Sequence, residues 1–301
     1  MLTTFYSMDM KRYFHHLWFG FLVACFSTYA ESAPLAVTVS ILPQKYFVER
    51  VGGEYVQVSV LVGPGQSPET FEPLPRQMAA LSDSALFYRI GVPFEEAWID
   101  GLRSAYPGLV FLDARHGITL REMEPAGGHH HDYDHHHASG QTDPHIWLDP
   151  ANVRIMIDHL RDQLIALDPQ HAAAYQENHN RFTDELKQLE RSIQQQLSTL
   201  KSRKFMVFHP SWGYFADAFN LQQMPIESEG KEPGARTLMR LIEQARQEGI
   251  KVIFVQQQFS SGQANSLARA IEGRLAPLDP LAESYLENLH KVADAISGAK
   301  P

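Results

Sequence analysis

Apolar residues along this chain come in short β-branched runs that alternate with stretches of helical spacing. The runs "LAVTVS" (35–40), "YVQVSVLV" (55–62), "ALFYRI" (85–90) and "LVFLD" (109–113) predict strands. The segments through Tyr46 and Val51, from "RQMAALSDS" onward, and around Phe94–Leu102 predict the helices between them. Strands alternating with helices build βαβ units, because a parallel neighbour is reached only by a crossover. The same grammar returns in the second half. Strands are predicted at 204–209, 221–226, 251–256 and 274–279, with helices over "WGYFADAF", "ARTLMRLIEQARQEG", "GQANSLARAIEG" and a closing "PLAESYLENLHKVADAIS".

Between the halves the period changes. "ANVRIMIDHLRDQLIAL" is helical, and Asp168-Pro169 offers a cap followed by proline at the first position of another helix. From there Tyr175, Phe182, Leu186, Leu189, Ile193, Leu197 and Leu200 step by sevens, fours and threes. That stripe predicts one helix of about thirty residues, roughly 45 Å long, which is longer than either half is wide. The expected fold is therefore α/β: two βα lobes with parallel sheets, spanning 35–167 and 201–301, joined by a spine helix over 168–200. Residues 117–144 lack periodicity and read as a long loop in the first lobe.

Composition narrows the function. A net charge of −9, with no basic stripe, excludes nucleic acid as partner. Cys25 is the only cysteine, so an internal disulfide or a thiolate metal site is excluded. Lys11 and Arg12 precede an apolar run, Leu17 to Phe26, and then the small and polar residues of "STYAESAP". That order describes a secretory signal over residues 1–30, too short to span a bilayer comfortably. "LVAC" resembles a lipobox, which would make Cys25 a lipid anchor, whereas "TYA" suits ordinary cleavage after Ala30; the expected location is periplasmic in either case.

Open parallel sheets bind ligands beyond the carboxyl ends of their strands. Four side chains able to ligate metal fall there: Glu69 after the second strand, His145 after the fourth, His209 ending "KFMVFH" and Asp279 ending "RLAPLD". Two imidazoles and two carboxylates suit zinc, manganese or iron. Each has an ordinary reading as a cap or solvated residue, and the coincidence of four at one edge is what favours a metal. Upstream of His145 stands "HHHDYDHHH", with His129, His130, His131, His135, His136 and His137. Such a run offers weak, exchangeable metal sites, while His145, between Pro144 and Trp147, has fixed geometry.

Six segments resemble one family in order: "GQSPETFEP", "DPHIWLDP", "VFHPSWGYFA", "ESEGKEPGARTLMRLI", "IFVQQQFSSGQANSLA" and "LAPLDPL". The chain is similar to the solute-binding proteins of zinc and manganese ABC importers, the ZnuA/TroA type, over nearly all of 35–297. The resemblance implies two βα lobes bridged by a long helix, with the ion held between them by His145, His209 and Asp279. Glu69 stands where zinc importers usually have histidine, and is expected as the fourth ligand. Gln256 replaces a frequent glutamate, Glu72 and Glu229 match acidic positions near the ligands, and Glu72 is expected to orient the site. Zinc members often carry a His-rich loop at this place, which favours zinc over manganese or iron. The implied protein is a monomeric receptor, not an enzyme, that delivers its ion to an inner-membrane permease. A metal-dependent hydrolase, or a surface adhesin or metal-storage protein, would use the same residues differently.

Overall fold

The computed structural model describes residues 33–124, 142–227, 233–258 and 262–298. The predicted signal segment, with Cys25, and the histidines between 129 and 137 lie outside these residues, as does Glu229. Two four-stranded parallel sheets carry the fold. The first contains β1 (Leu35–Val39), β2 (Val56–Val60), β3 (Leu86–Arg89) and β4 (Val110–Asp113) in the order β2-β1-β3-β4. The second contains β5 (Lys204–Val207), β6 (Gln222–Pro225), β7 (Val252–Val255) and β8 (Arg274–Pro277) in the order β6-β5-β7-β8. Strand order reverses beside β1 and beside β5, so loops part there and leave a crevice beyond the carboxyl ends.

Sequence explains who sits where in these sheets. All four residues of the inner strand β3 are buried, and they are accordingly not amphipathic. The edge strand β2 instead alternates, with Gln57 and Ser59 exposed. Pro225 and Pro277 both fall on edge strands, where a missing N–H breaks no ladder on the outer side.

The helices are α1 (Leu42–Gly52), α2 (Pro75–Leu81), α3 (Pro93–Ala105), α4 (Pro150–Leu167), α5 (Ala172–Leu197), α6 (Gly213–Ala218), α7 (Ala235–Gln247), α8 (Gly262–Ala270) and α9 (Tyr285–Ser297). Helix α5 is the predicted spine: 26 residues, about 39 Å at 1.5 Å per residue. Tyr175, Phe182, Leu186, Leu189, Ile193 and Leu197 are all buried along one stripe. Its start differs from the expectation. Asp168 does not cap α5, because its own N–H closes α4 on Leu164 O at 2.8 Å. One 3₁₀ turn, Pro169–His171, intervenes, and the Asp168 carboxylate accepts from His171 Nδ1 and Tyr175 Oη, each at 2.6 Å.

Helix α9 closes the chain but packs on the first half, against α5 and α1. The Tyr285 ring meets Phe47 edge-to-face with centroids 4.9 Å apart, and Glu283 pairs with Lys45. Trp147 Nε1 donates to Pro280 O at 2.8 Å. This return path explains why β8 ends at Pro277 rather than Asp279: the chain turns there, with Leu281 N–H bonded to Asp279 Oδ1 at 2.9 Å. One apolar core thus runs from Val37 and Phe87 through Leu160 and Leu186 to Val207 and Leu289. A smaller cluster around Met206, Ile226, Ile253 and Leu267 fills the other face of the second sheet. Among the described residues no helix is long and apolar enough to cross a membrane.

Leu186 is fully buried in this core, while the neighbouring Lys187 side chain is 49% exposed. Leu186→Ala should cost about 2–5 kcal/mol of stability in denaturant unfolding, and Lys187→Ala within about 0.5 kcal/mol. Equal effects would show that α5 does not carry the core.

Candidate metal centre

His145 is fixed by the turn on its carboxyl side. Ile146, Trp147 and Leu148 form a buried 3₁₀ turn, and Asp149 then caps α4 by accepting Ala151 N–H at 2.7 Å, with Pro150 at the first position. His209 stands just past β5, whose ladder continues through Phe208 N–H to Phe254 O at 2.8 Å. Glu69 lies in the loop between β2 and α2, where Ser67 Oγ donates to its carboxylate. The two histidines are only 2% and 4% exposed. Their ring centroids are 5.4 Å apart, at 73°. Glu69 Oε1 lies 3.7 Å from His145 Nε2 and 3.4 Å from His209 Nε2. One ligand atom from each of Glu69, His145 and His209 thus falls within 4.8 Å of the others.

Two more carboxylates stand behind the rings. His145 Nδ1 donates to Asp143 Oδ1 at 2.7 Å, and His209 Nδ1 donates to Glu227. Both acids are buried. A carboxylate can only accept, so each Nδ1 carries its proton, and each Nε2, on the Glu69 side, is the nitrogen that could ligate a metal. Asp143 is fixed further by accepting the His145 N–H at 3.0 Å. The sequence reading missed both acids. Asp143 is legible as the aspartate of "DPH", two residues before its histidine. Glu227 requires the register: Val207 pairs with Pro225, so His209 and Glu227 follow at matching height past neighbouring strands.

The remaining expected residues are placed differently. Asp279 is not part of the cluster of Glu69 and the two histidines; its Oδ1 accepts Leu281 N–H. The two residues that follow it, Pro280 and Leu281, line a small pocket together with Glu69, His145, Gln256 and Gln258. Glu72 is exposed, and the acids bonded to the ring Nδ1 atoms are Asp143 and Glu227. Gln256 is buried, lines this pocket and donates to Ser211 Oγ. The histidine-bearing loop leaves the described residues at Glu124 and re-enters at Thr142, beside a bridge between Glu122 and Thr142.

Comparison with known proteins agrees with this geometry. A family model described as ZnuA, zinc-uptake complex component A, periplasmic, matches residues 37–299. The chain belongs to the ZnuA family. A crystal structure of a ZnuA superimposes with a TM-score of 0.82 at 41% identity, covering 89% of this chain and 100% of that one. The high-affinity zinc uptake protein ZnuA of Yersinia pestis is 28% identical over 269 residues, 83% of this chain and 84% of that protein. The zinc-binding lipoprotein AdcA of Streptococcus pneumoniae is 27% identical over 286 residues, 91% of this chain. The chain spans about half the length of AdcA, 55%. Two parallel four-stranded sheets and a long helix are thus the fold of a ZnuA-family protein.

The charges around the two rings favour their protonated forms. Burial disfavours a charged imidazole, but Asp143 and Glu69 outweigh it and raise His145 to about 9. His209 is raised too, against burial, by Glu227 and Glu69, while the neighbouring His145 charge opposes it. Burial would raise Glu69, yet the two imidazoles hold it well below the usual carboxylate range. Only a neutral ring ligates, so a metal must displace at least one proton at pH 7.

Zinc affinity should therefore rise about tenfold per pH unit between pH 7 and 9, with proton release visible as a buffer-dependent enthalpy in calorimetry. The metal-free protein should respond oppositely. His145 is raised from its ordinary 6.5 to about 9, so its stabilising contribution is complete below pH 6.5 and is lost as pH climbs through 9. A zinc affinity flat across this window would show that the rings are already neutral. Glu227→Gln should weaken zinc binding about 10–100-fold, as loss of a carboxylate behind a metal-bound histidine typically does.

Proposed function

We propose that this protein is an extracytoplasmic receptor that binds a divalent ion, zinc foremost, and delivers it to the membrane permease of an ABC importer. The observation that carries this reading is the convergence of Glu69, His145 and His209 across the two halves, with both coordinating nitrogens aimed at one point. Two imidazoles pre-oriented by buried carboxylates, and a third donor bonded to Ser67, suit tight capture, because little freedom remains to be lost on binding. Two imidazole nitrogens and a carboxylate favour zinc over manganese or iron on the divalent affinity series. The names of the zinc-binding relatives support the same choice.

In this reading Glu69, His145 and His209 hold the ion, and Asp279 supplies the fourth donor from the pocket wall that Pro280 and Leu281 form. The histidines at 129–137 are auxiliary weak sites that collect metal for the cleft. Residues 1–30 are a signal, and Cys25 is a lipid anchor if cleavage precedes it. The lobes are 35–167 and 201–301, with 168–200 between them, and the receptor acts as a monomer. Because α5 and the returning α9 both strap the lobes, closure is a small tilt rather than a wide hinge swing.

Elemental analysis of the mature protein lacking residues 128–138 should find one tightly bound zinc, since the cleft does not use the loop. His209→Ala should lose that ion, lowering affinity by at least a hundredfold in a chelator competition. Stoichiometric binding that survives His209→Ala would refute the assigned site, and binding that vanishes with the loop would make the protein a storage surface instead.

A further inference from the structure

Arg121 has no part in the site described so far, yet it is built into the back of it. Its side chain is 17% exposed and faces three carboxylates. Nη1 bonds Asp143 Oδ2 at 3.2 Å, Nη2 bonds Glu124 Oε1 at 2.7 Å, and Nε lies 3.2 Å from Asp217 Oδ2. Asp143 and Glu124 belong to the first half of the chain, while Asp217 is on α6 of the second. The backbone doubles the link. Arg121 N–H donates to Tyr214 Oη at 3.0 Å, Tyr214 Oη donates to Asp143 O at 3.2 Å, and Asp143 N–H donates to Arg121 O at 2.9 Å.

Gly213 makes this approach possible. A Cβ added there would fall 1.1 Å from Arg121 Nη1 and 2.9 Å from Asp143 Oδ2. The guanidinium therefore lies directly on the first residue of α6. A helix N-terminus repels a cation, so helix electrostatics do not account for the placement. The carboxylates do, and Asp143 is the same acid whose other oxygen fixes His145.

We propose that Arg121 is a positioning residue: it ties His145, through Asp143, to the docking of α6 at Gly213, Tyr214 and Asp217. The hold on the metal then depends on contact between the halves at the back of the site as well as on the ligands. This rests on the metal-receptor reading above. Tyr214 and the Arg121 backbone hold the Asp143 main chain, and the guanidinium fixes its carboxylate against the second half. Asp217, whose side chain is 63% exposed, is the arm of the bridge that solvent or a docking partner reaches. A planar fork serves such a bridge, and a lysine ammonium does not span both acids.

The test measures zinc release from loaded protein mixed with excess chelator, alongside the Nδ1–H resonances of His145 and His209 in loaded and metal-free protein. Arg121→Ala should release zinc at least tenfold faster and broaden the His145 Nδ1–H signal while that of His209 persists. Arg121→Lys should not restore either. Asp217→Ala, which leaves the Asp143 contact in place and touches only an exposed acid, should accelerate release a few-fold. Release within twofold of wild type in Arg121→Ala and Asp217→Ala, or equal loss of both histidine signals, would overturn the inference. Wild-type protein that binds no zinc would instead refute the receptor reading; the metal-free Nδ1–H signals still decide whether Arg121 holds His145.

Discussion

Opposite charges gathered in a buried seam organise this molecule. Two imidazoles, largely withdrawn from water, face Glu69 on one side and lean on Asp143 and Glu227 on the other. In a low-dielectric setting each of these groups would be costly alone, since an unpaired buried charge costs several kcal/mol. Together they compensate one another, and the compensation exists only while both sheets present their loops to the same crevice. Burial, ring orientation and proton affinity are thus consequences of one packing arrangement.

The fold supplies that arrangement by repetition. Each half places a chemically active loop beyond the carboxyl ends of its parallel strands, so putting the sheet ends toward each other brings the loops together without special loop architecture. Rigidity comes from what encloses them. Helices α4, α5 and α9 share the larger core with both sheets, and the indole of Trp147 fastens the returning chain two residues after the end of β8's last backbone bond at Leu278. A ligand group mounted on a rigid support loses little entropy when it binds, which is how a small donor set achieves tight capture.

The same electrostatics set the proton affinity of the two rings. Three carboxylates around two histidines raise the proton affinity of both rings against the cost of burial, so any cation taken up there would have to compete with protons. In the receptor reading, capture and release are both competitions for Nε2, and anything that alters the carboxylates behind the rings alters the outcome. Arg121 lies one bond further out in this chain of contacts, where a change in inter-lobe fit reaches His145 through Asp143.

Much of this could be read from the chain alone. Period-two and period-3.6 patterning placed the strands and helices, the stripe from Tyr175 to Leu197 disclosed the spine, and strand-end positions singled out Glu69, His145 and His209 together with Asp279, which stands outside their cluster. These features are local: a side-chain period or a residue just past a strand is written in consecutive positions. What only the tertiary structure decided is relational. Glu227 finds His209 because β5 and β6 are in register, α9 of the second half reaches across because its apolar face fits α1 and α5, and Glu72 is exposed while Asp143 turns inward. No spacing encodes such pairings, since they arise from distant segments competing for the same buried volume.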